Sequence, residues 1–272
     1  MEALLESLRI RPVEGADRLP TMYDLPSEYP EDSLDSTHPR HAYMLMETLP
    51  KTITIPRQSG DRKIGVKAMV INTFSAIELN IHYDKDNPHW HKRPDWFMVL
   101  GSQYDGSEMQ SFLTWQETMR PFLAVEILSP STAREDLGKR QHKQGEPPTK
   151  WEVYEKILKL PYYVIFNAKK NELKAYKLHG GKLCPMDCTD NRVAIAEIRA
   201  ELRVWEGTIS DQKGFWLRFY DEAGKMILLP KEQAEQERQE KERALAAVAD
   251  ERKQNERLQA ALRKAGIDPD SI

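Results

Sequence analysis

The sequence predicts an α/β protein, and three observations carry the prediction. Pro121 to Asn167 reads as a buried strand, a polar turn with an irregular insertion, a short capped helix and a second buried strand. Residues 50–83 and 93–101 upstream, and 173–220 downstream, hold short β-type runs between turn signals. From residue 231 the composition changes to that of a polar helix.

In chain order, residues 1–37 hold Pro12, Pro20, Pro26 and Pro30 with scattered acids and little periodicity. They are expected to form an irregular arm, helical only around Ala3 to Leu8. His38 to Leu49 places Ala42, Met44, Leu45, Met46 and Leu49 on a core-facing helix, with Glu47 as an exposed helical acid. Residues 53–55 and 66–74 are expected strands, and Ala76 to Asp84 alternates as a further one. A loop leads into Arg93 to Gly101, where Asp95 stands at the mouth of an apolar strand. His89-Trp90-His91 has the alternation of a two-imidazole metal site, but its surroundings read as loop and offer no further ligand.

The strand Phe122 to Leu128 is apolar almost throughout, yet it carries Glu126. An ionised carboxylate there costs several kcal/mol unless it is paired or binds a cation. The following helix opens on Thr149-Lys150-Trp151-Glu152, a capping box, behind Pro147 and Pro148. Trp151, Tyr154, Ile157, Leu158 and Leu160 form its apolar face before Pro161 ends it. Packed on the strand, this helix projects Lys150 near Glu126, as a functional cation or as a simple ion pair. Asp95 is a second carboxylate on a second apolar strand, and two carboxylates brought together suit a divalent cation such as Mg²⁺.

The insertion Gly138 to Thr149, with Lys150, gathers Lys139, Arg140, His142 and Lys143 against one acid, Glu146. It is a solvated loop or a track for a phosphate backbone. Glu135 and Asp136 read as acids favoured at a helix start. Strands are expected over Leu173 to Leu178, Arg192 to Glu197, Leu202 to Glu206 and Phe215 to Tyr220, with Trp205, Trp216, Phe219 and Tyr220 in the core. Lys231 to Ala265 holds 9 basic and 8 acidic residues. A thin heptad seam through Ala244, Val248, Asn255, Leu258, Leu262 and Ala265 suggests a partner helix, most simply in a homodimer.

Composition sets the outer bounds. The 272 residues are 40% hydrophobic, enough for one real core, and the formal net charge of −3 gives no global basic field. Cys184 and Cys188 read as free thiols rather than a disulfide framework. No apolar run approaches the roughly 20 residues of a membrane span, and no signal-peptide core opens the chain. A soluble, cytoplasmic protein is expected, without membrane partners.

Five blocks together resemble a known family: Pro94-Asp95; Val125-Glu126-Ile127-Leu128-Ser129-Pro130-Ser131-Thr132; Glu135-Asp136-Leu137-Gly138; Lys150-x-x-x-Tyr154; and Tyr162-Tyr163-Val164-Ile165-Phe166. Their order and spacing are similar to the Uma-type restriction endonucleases of the PD-(D/E)XK nuclease superfamily. The resemblance implies a restriction-endonuclease-like α/β core, with a central mixed β-sheet flanked by helices, and a Mg²⁺-dependent (or Mn²⁺-dependent) endonuclease site acting on DNA. It implies that Asp95, Glu126 and the Ile127 backbone carbonyl hold metal. Two residues after Glu126 stands Leu128, where the superfamily carries lysine. Lys150 on the next helix is the candidate replacement, with Lys139 as rival. Tyr154 and Lys139 are accessory candidates, and Lys139, Arg140 and Lys143 are candidates for DNA contact.

The expected organisation is an arm over 1–37, a nuclease domain over 38–230, a C-terminal helix or coiled coil over 231–265 and a tail over 266–272. Two functions remain open: a metal-dependent DNA endonuclease with Asp95, Glu126 and Lys150 at its centre, or a catalytically silent nuclease-fold protein that binds DNA or oligomerises. The altered motif and the acidic balance favour the second; the carboxylate pair and the capped lysine favour the first.

Overall fold

The computed structural model describes residues 1–26, 38–49, 52–56, 68–104, 108–143, 145–209 and 211–264. Residues 27–37 of the expected arm, Val66 and Lys67 of an expected strand, Ala265 of the expected helix and the tail 266–272 lie outside the described residues. The chain divides into two compact units, Met1–Ile227 and Leu228–Ile272.

The first unit is built on a mixed sheet. Its strands are β1 (Thr52–Pro56), β2 (Ala68–Ile77), β5 (Trp96–Leu100), β7 (Pro121–Ile127), β8 (Tyr162–Asn167), β9 (Glu172–His179) and β10 (Lys182–Pro185), side by side in that order. Every pairing is antiparallel except that of β7 with β8, which is parallel. Parallel neighbours need a crossover, and 128–161 supplies it. β5 and β7 are buried at every position, as expected of strands covered on both faces. The sheet, with the helices beside it, defines the α/β, restriction-endonuclease-like class.

The helix α1 (Glu2–Leu8) buries Leu8. Behind it the chain pairs with the segment entering β7, through Arg9 with Met119 and the Ile10 N–H on the Thr118 carbonyl. The helix α2 (His38–Thr48) buries Ala42, Met44 and Leu45 and packs on β2, β5 and β7. Its other neighbour is β13 (Gln212–Tyr220), which forms a separate sheet with β11 (Arg192–Ile195) and β12 (Ala200–Ile209). The strands expected over Arg192 to Tyr220 therefore form but do not extend the main sheet. β10 already occupies the place beside β9, and the later strands close over α2 instead, with Trp216 stacked on His41 at 4.6 Å. Trp216 and Phe219 are buried; Trp205 and Tyr220 are half-buried and carry the guanidinium groups of Arg218 and Arg203 on their rings.

The strand expected from Ala76 to Asp84 is corrected. β2 ends at Ile77 because Glu78 takes a left-handed φ of 47°, and the chain then enters another sheet. That sheet joins β3 (Ile81–His82) to β4 (His91–Lys92) and β6 (Phe112–Leu113). His89 is exposed on its loop, and His91 lies across from His82 with ring centroids 5.5 Å apart. Among the described residues, no group of three or more His, Cys, Asp and Glu is arranged to hold a metal, and no helix is long and apolar enough to cross a membrane.

The second unit is the helix α5 (Pro230–Lys264), which has no buried residue of its own. Leu245, Val248 and Leu258 lie exposed along it.

His82 gives the fold a pH dependence. Burial lowers its pKa from 6.5 to about 4, with His91 and His89 adding to the effect and the hydrogen bond with the Pro88 carbonyl opposing it. The folded value lies below the unfolded one, so the stabilisation is complete above about pH 6.5 and is lost as pH falls toward 4. Denaturant titrations of wild type and His82→Gln across this window should show wild type losing on the order of 2 kcal/mol relative to the variant. Parallel curves would remove His82 as the cause.

Candidate active site

Two strand ends make the corner of the site. β5 and β7 run antiparallel with Trp96 opposite Val125, so Asp95 and Glu126 meet one position further out. The Asp95 N–H donates to Glu126 Oε2 at 3.4 Å, and Asp95 Oδ2 accepts from the Ile127 N–H. Glu126 is 1% exposed, whereas Asp95 is half-buried at the rim.

The crossover delivers the cation. After β7, the Ser129 hydroxyl bonds Ser131, Thr132 and the Thr132 N–H, and the turn leads into the short helix α3 (Ala133–Asp136). Gly138 then reverses the chain with φ +65°. A Cβ there would lie 2.9 Å from the Trp151 ring, so only glycine fits both the backbone and the contact. Trp151 belongs to the helix α4 (Lys150–Glu152), whose capping box forms as its sequence predicts. The Thr149 hydroxyl accepts from the Glu152 N–H, and the Glu152 carboxylate accepts from the Thr149 N–H. Trp151 and Tyr154 meet Tyr163 of β8 edge-on at 5.7 and 5.1 Å, which fixes the helix over the sheet.

The expected apolar face continues differently from an α-helix. Val153–Ile157 is a π turn, with the Leu158 N–H on the Val153 carbonyl. The wider turn changes the phase of the later residues. Ile157, expected in the core, is 42% exposed, while Tyr154 and Leu158 stay buried.

Lys150 is 8% exposed, and its Nζ lies 3.0 Å from Glu126 Oε2 and 2.7 Å from Asp136 Oδ1. The Tyr154 hydroxyl donates to Glu126 Oε1 at 2.9 Å. Asp136 is 1% exposed, and its Oδ2 is buried without a hydrogen-bond partner among the described residues. Burial alone would lower the lysine's pKa, but Glu126, Asp136 and Asp95 outweigh it and hold the ammonium above its ordinary range. Glu126 moves well above the carboxylate range because burial disfavours its charge and Asp136 and Asp95 repel it, with Lys150 opposing.

Of the residues singled out from sequence, Asp95, Glu126, Lys150 and Tyr154 come together here. Lys139 stands elsewhere, on a pocket with Leu128, Ile165 and Lys174. Arg140 is exposed and pairs with Glu135 and Glu146, and Lys143 lies near Glu146. Lys150 is buried, so it does not belong to the surface charge of the insertion.

Glu135 and Asp136 lie in the first turn of α3, as expected, but each also holds a cation or an N–H from beyond that helix. Asp136 grips Lys150 from the side opposite Glu126. Glu135 accepts from the Lys150 backbone N–H at 2.6 Å and from Lys92 at 3.1 Å. These two are the only acids between Glu126 and Glu146, in a stretch otherwise basic, which is the signal that could have marked them.

A mixed sheet with an Asp–Glu–Lys corner at the ends of two central strands defines a nuclease-fold protein of the restriction-endonuclease class. The family model Uma2, described as "Putative restriction endonuclease", matches residues 67–209, just over half of the chain, and the chain belongs to that family. No curated protein matches it.

Replacing Lys150 by methionine keeps the packing but leaves Glu126 and Asp136 buried without their cation. The cost expected at pH 7 is about 3–5 kcal/mol. An acid with a raised folded pKa loses its penalty as pH falls toward the unfolded value, so the deficit should shrink on going from pH 7 to pH 5. Thermal unfolding of both proteins at the two pH values checks this; an unchanged deficit would mean the loss is packing alone.

Proposed function

We propose that this protein is a metal-dependent endonuclease that hydrolyses phosphodiester bonds in DNA. The observation that carries the reading is the Lys150 ammonium lodged between Glu126 and Asp136 beside Asp95. With all three acids ionised, one positive charge faces three carboxylates and leaves two negative charges over, the charge of one divalent cation, whose binding would favour the ionised form of Glu126 that burial disfavours. The donors are all oxygen, and one or two carboxylates with water is the coordination Mg²⁺ favours. Asp95, Glu126 and the Ile127 carbonyl would hold Mg²⁺ or Mn²⁺, which when bound supplies Lewis acidity and a water of lowered pKa.

The remaining chemistry belongs to the chain. Lys150 stays protonated among its carboxylates, so it is no general base. Its role is to stabilise negative charge developing on the phosphoryl oxygens and to orient the attacking water. Asp136 and Glu126 hold that ammonium in place, and Tyr154 fixes the Glu126 carboxylate by its hydroxyl. Leu128 leaves the strand without a lysine, and Lys150 fills the role from the helix.

One observation favours the second reading, a silent binding protein: both Glu126 oxygens are engaged, Oε1 by Tyr154 and Oε2 by Lys150. Cleavage of supercoiled plasmid and single-stranded DNA with Mg²⁺ or Mn²⁺ separates the two. Asp95→Ala and Glu126→Ala should fall to background, and Lys150→Ala should lose about 100- to 1,000-fold. Folded wild-type protein that leaves both DNAs intact with either metal would sink the endonuclease reading.

The assembly proposed with this function is a homodimer through α5. The helix exposes Leu245, Val248 and Leu258, and a long polar helix is marginal alone. Sedimentation of the full chain at tens of micromolar should give a dimer that Leu258→Glu weakens; a monomer throughout removes the proposal.

A further inference from the structure

The sheet carries a row of residues leading away from the site. Glu126 of β7 is paired in register with Ile165 of β8, and Ile165 with Lys174 of β9. Residues directly opposite on neighbouring strands share a face of the sheet, so Glu126, Ile165 and Lys174 line up on one side. Strands lie about 4.8 Å apart, which puts the Lys174 backbone roughly 10 Å from that of Glu126.

A pocket of about 270 Å³ opens along this row. Its apolar floor includes Leu128, two residues beyond Glu126, and Ile165. Lys139 reaches it from the turn after α3, Lys170 from the β8–β9 turn and Lys174 from β9. Lys139 and Lys170 are exposed, and the acid on the pocket, Glu172, lies 3.0 Å from Lys174. Three ammonium groups against one carboxylate make the pocket cationic. It is smaller than the ~300–1,000 Å³ of sites for drug-sized ligands, so it suits one small anionic group.

We infer that this pocket binds a backbone phosphate of the nucleic acid flanking the bond to be cut, an inference that rests on the endonuclease reading. The ~10 Å offset is on the order of the through-space separation of nearby phosphates on one strand, which exceeds the ~3.4 Å axial rise because the strand winds about the axis. A strand whose scissile phosphate sits at Asp95 and Glu126 thus brings a neighbouring phosphate over Lys139, Lys170 and Lys174. Contacts of this kind fix register and carry no base sequence. In this arrangement Leu128, at the motif's usual lysine position, floors the seat of the neighbouring phosphate.

The test uses the full chain and fluorescein-labelled 20-base-pair duplex and 20-nucleotide single-stranded probes, about that length so as to span site and pocket. Binding is followed by anisotropy in EDTA over a salt series. The triple variant Lys139→Ala, Lys170→Ala, Lys174→Ala should bind about tenfold more weakly than wild type, and its log–log salt dependence should be shallower by roughly one to two. Lys213→Ala, on the separate sheet, is the control and should match wild type. In metal-dependent cleavage the triple variant should raise KM while keeping kcat within about twofold, because the lysines touch no reacting atom.

Wild-type affinity, salt slope and KM in a folded triple variant would overturn the pocket while leaving the endonuclease reading intact. Salt-dependent binding that the triple variant weakens, by a wild type that never cuts, would keep the pocket and remove the hydrolytic reading. A wild type that neither binds nor cuts either probe overturns both.

Discussion

A protonated lysine in a nearly dry interior requires carboxylates around it, and carboxylates in such a place require a cation. Lys150 with Glu126 and Asp136 is that mutual requirement, and the first unit is arranged about it. Removing one partner leaves an uncompensated buried charge, which costs more than the intact pair contributes. The surrounding parts therefore hold geometry: the capping box sets where α4 begins, Gly138 lets Trp151 close on α3, and Tyr163 ties the Asp136 carbonyl to β8 through its hydroxyl at 2.9 Å. Each of these holds the helix start and the α3 end in the relative position that puts Asp136 and Glu126 on either side of one ammonium.

Under the proposed function, the same arrangement would account for a motif whose lysine is not on the strand. A lysine two residues after Glu126 would share its face of the sheet by strand alternation. Lys150 comes to the same carboxylate from the crossover helix. This route needs a second anion on the helical side to orient the side chain, and Asp136 is that anion. Glu135 then accepts the Lys150 backbone N–H, which the cap leaves unsatisfied at the first helical turn. Leu128 lines the pocket, and under the proposed endonuclease function strand position 128 would have no part in the chemistry.

The fold was legible where a local signal decided it. Continuous apolar runs gave β5, β7 and β8, the Thr-Lys-Trp-Glu box gave the start of α4, and the polar composition of 231–265 gave α5. The misses are long-range or conformational. Glu78 turns the chain out of β2 through a left-handed backbone that nothing in an alternating pattern announces. The destination of β11 to β13 depends on which strand edge is already taken by β10, a tertiary fact. The π turn changes the phase of Ile157 without leaving a mark in the sequence. In the site, Glu126 stood out because a charge in an apolar run is costly, Asp95 because it is a second carboxylate at the mouth of a second apolar strand, and Lys150 because the capping box places it near Glu126. Asp136 did not, since its burial comes from the folding back of α4 over α3 rather than from its own neighbours in sequence.

Burial also separates the two kinds of positive charge near the corner. Lys150 is locked inside by carboxylates, so a substitution there is expected to cost stability and, under the proposed function, activity as well. Lys139, Lys170 and Arg140 are exposed and cheap to change, and an exposed cation contributes little to folding. Charges that the fold does not need, yet that crowd one edge of an acidic corner, are free to be shaped by a polyanionic ligand. The overall charge of −3 is no obstacle to this, because screening confines each field to about 8–10 Å in physiological salt. What a phosphate chain meets at close range is the local balance. That balance is negative at Asp95 and Glu126, where a metal would sit, and positive one step across the sheet, where the next part of the backbone would lie.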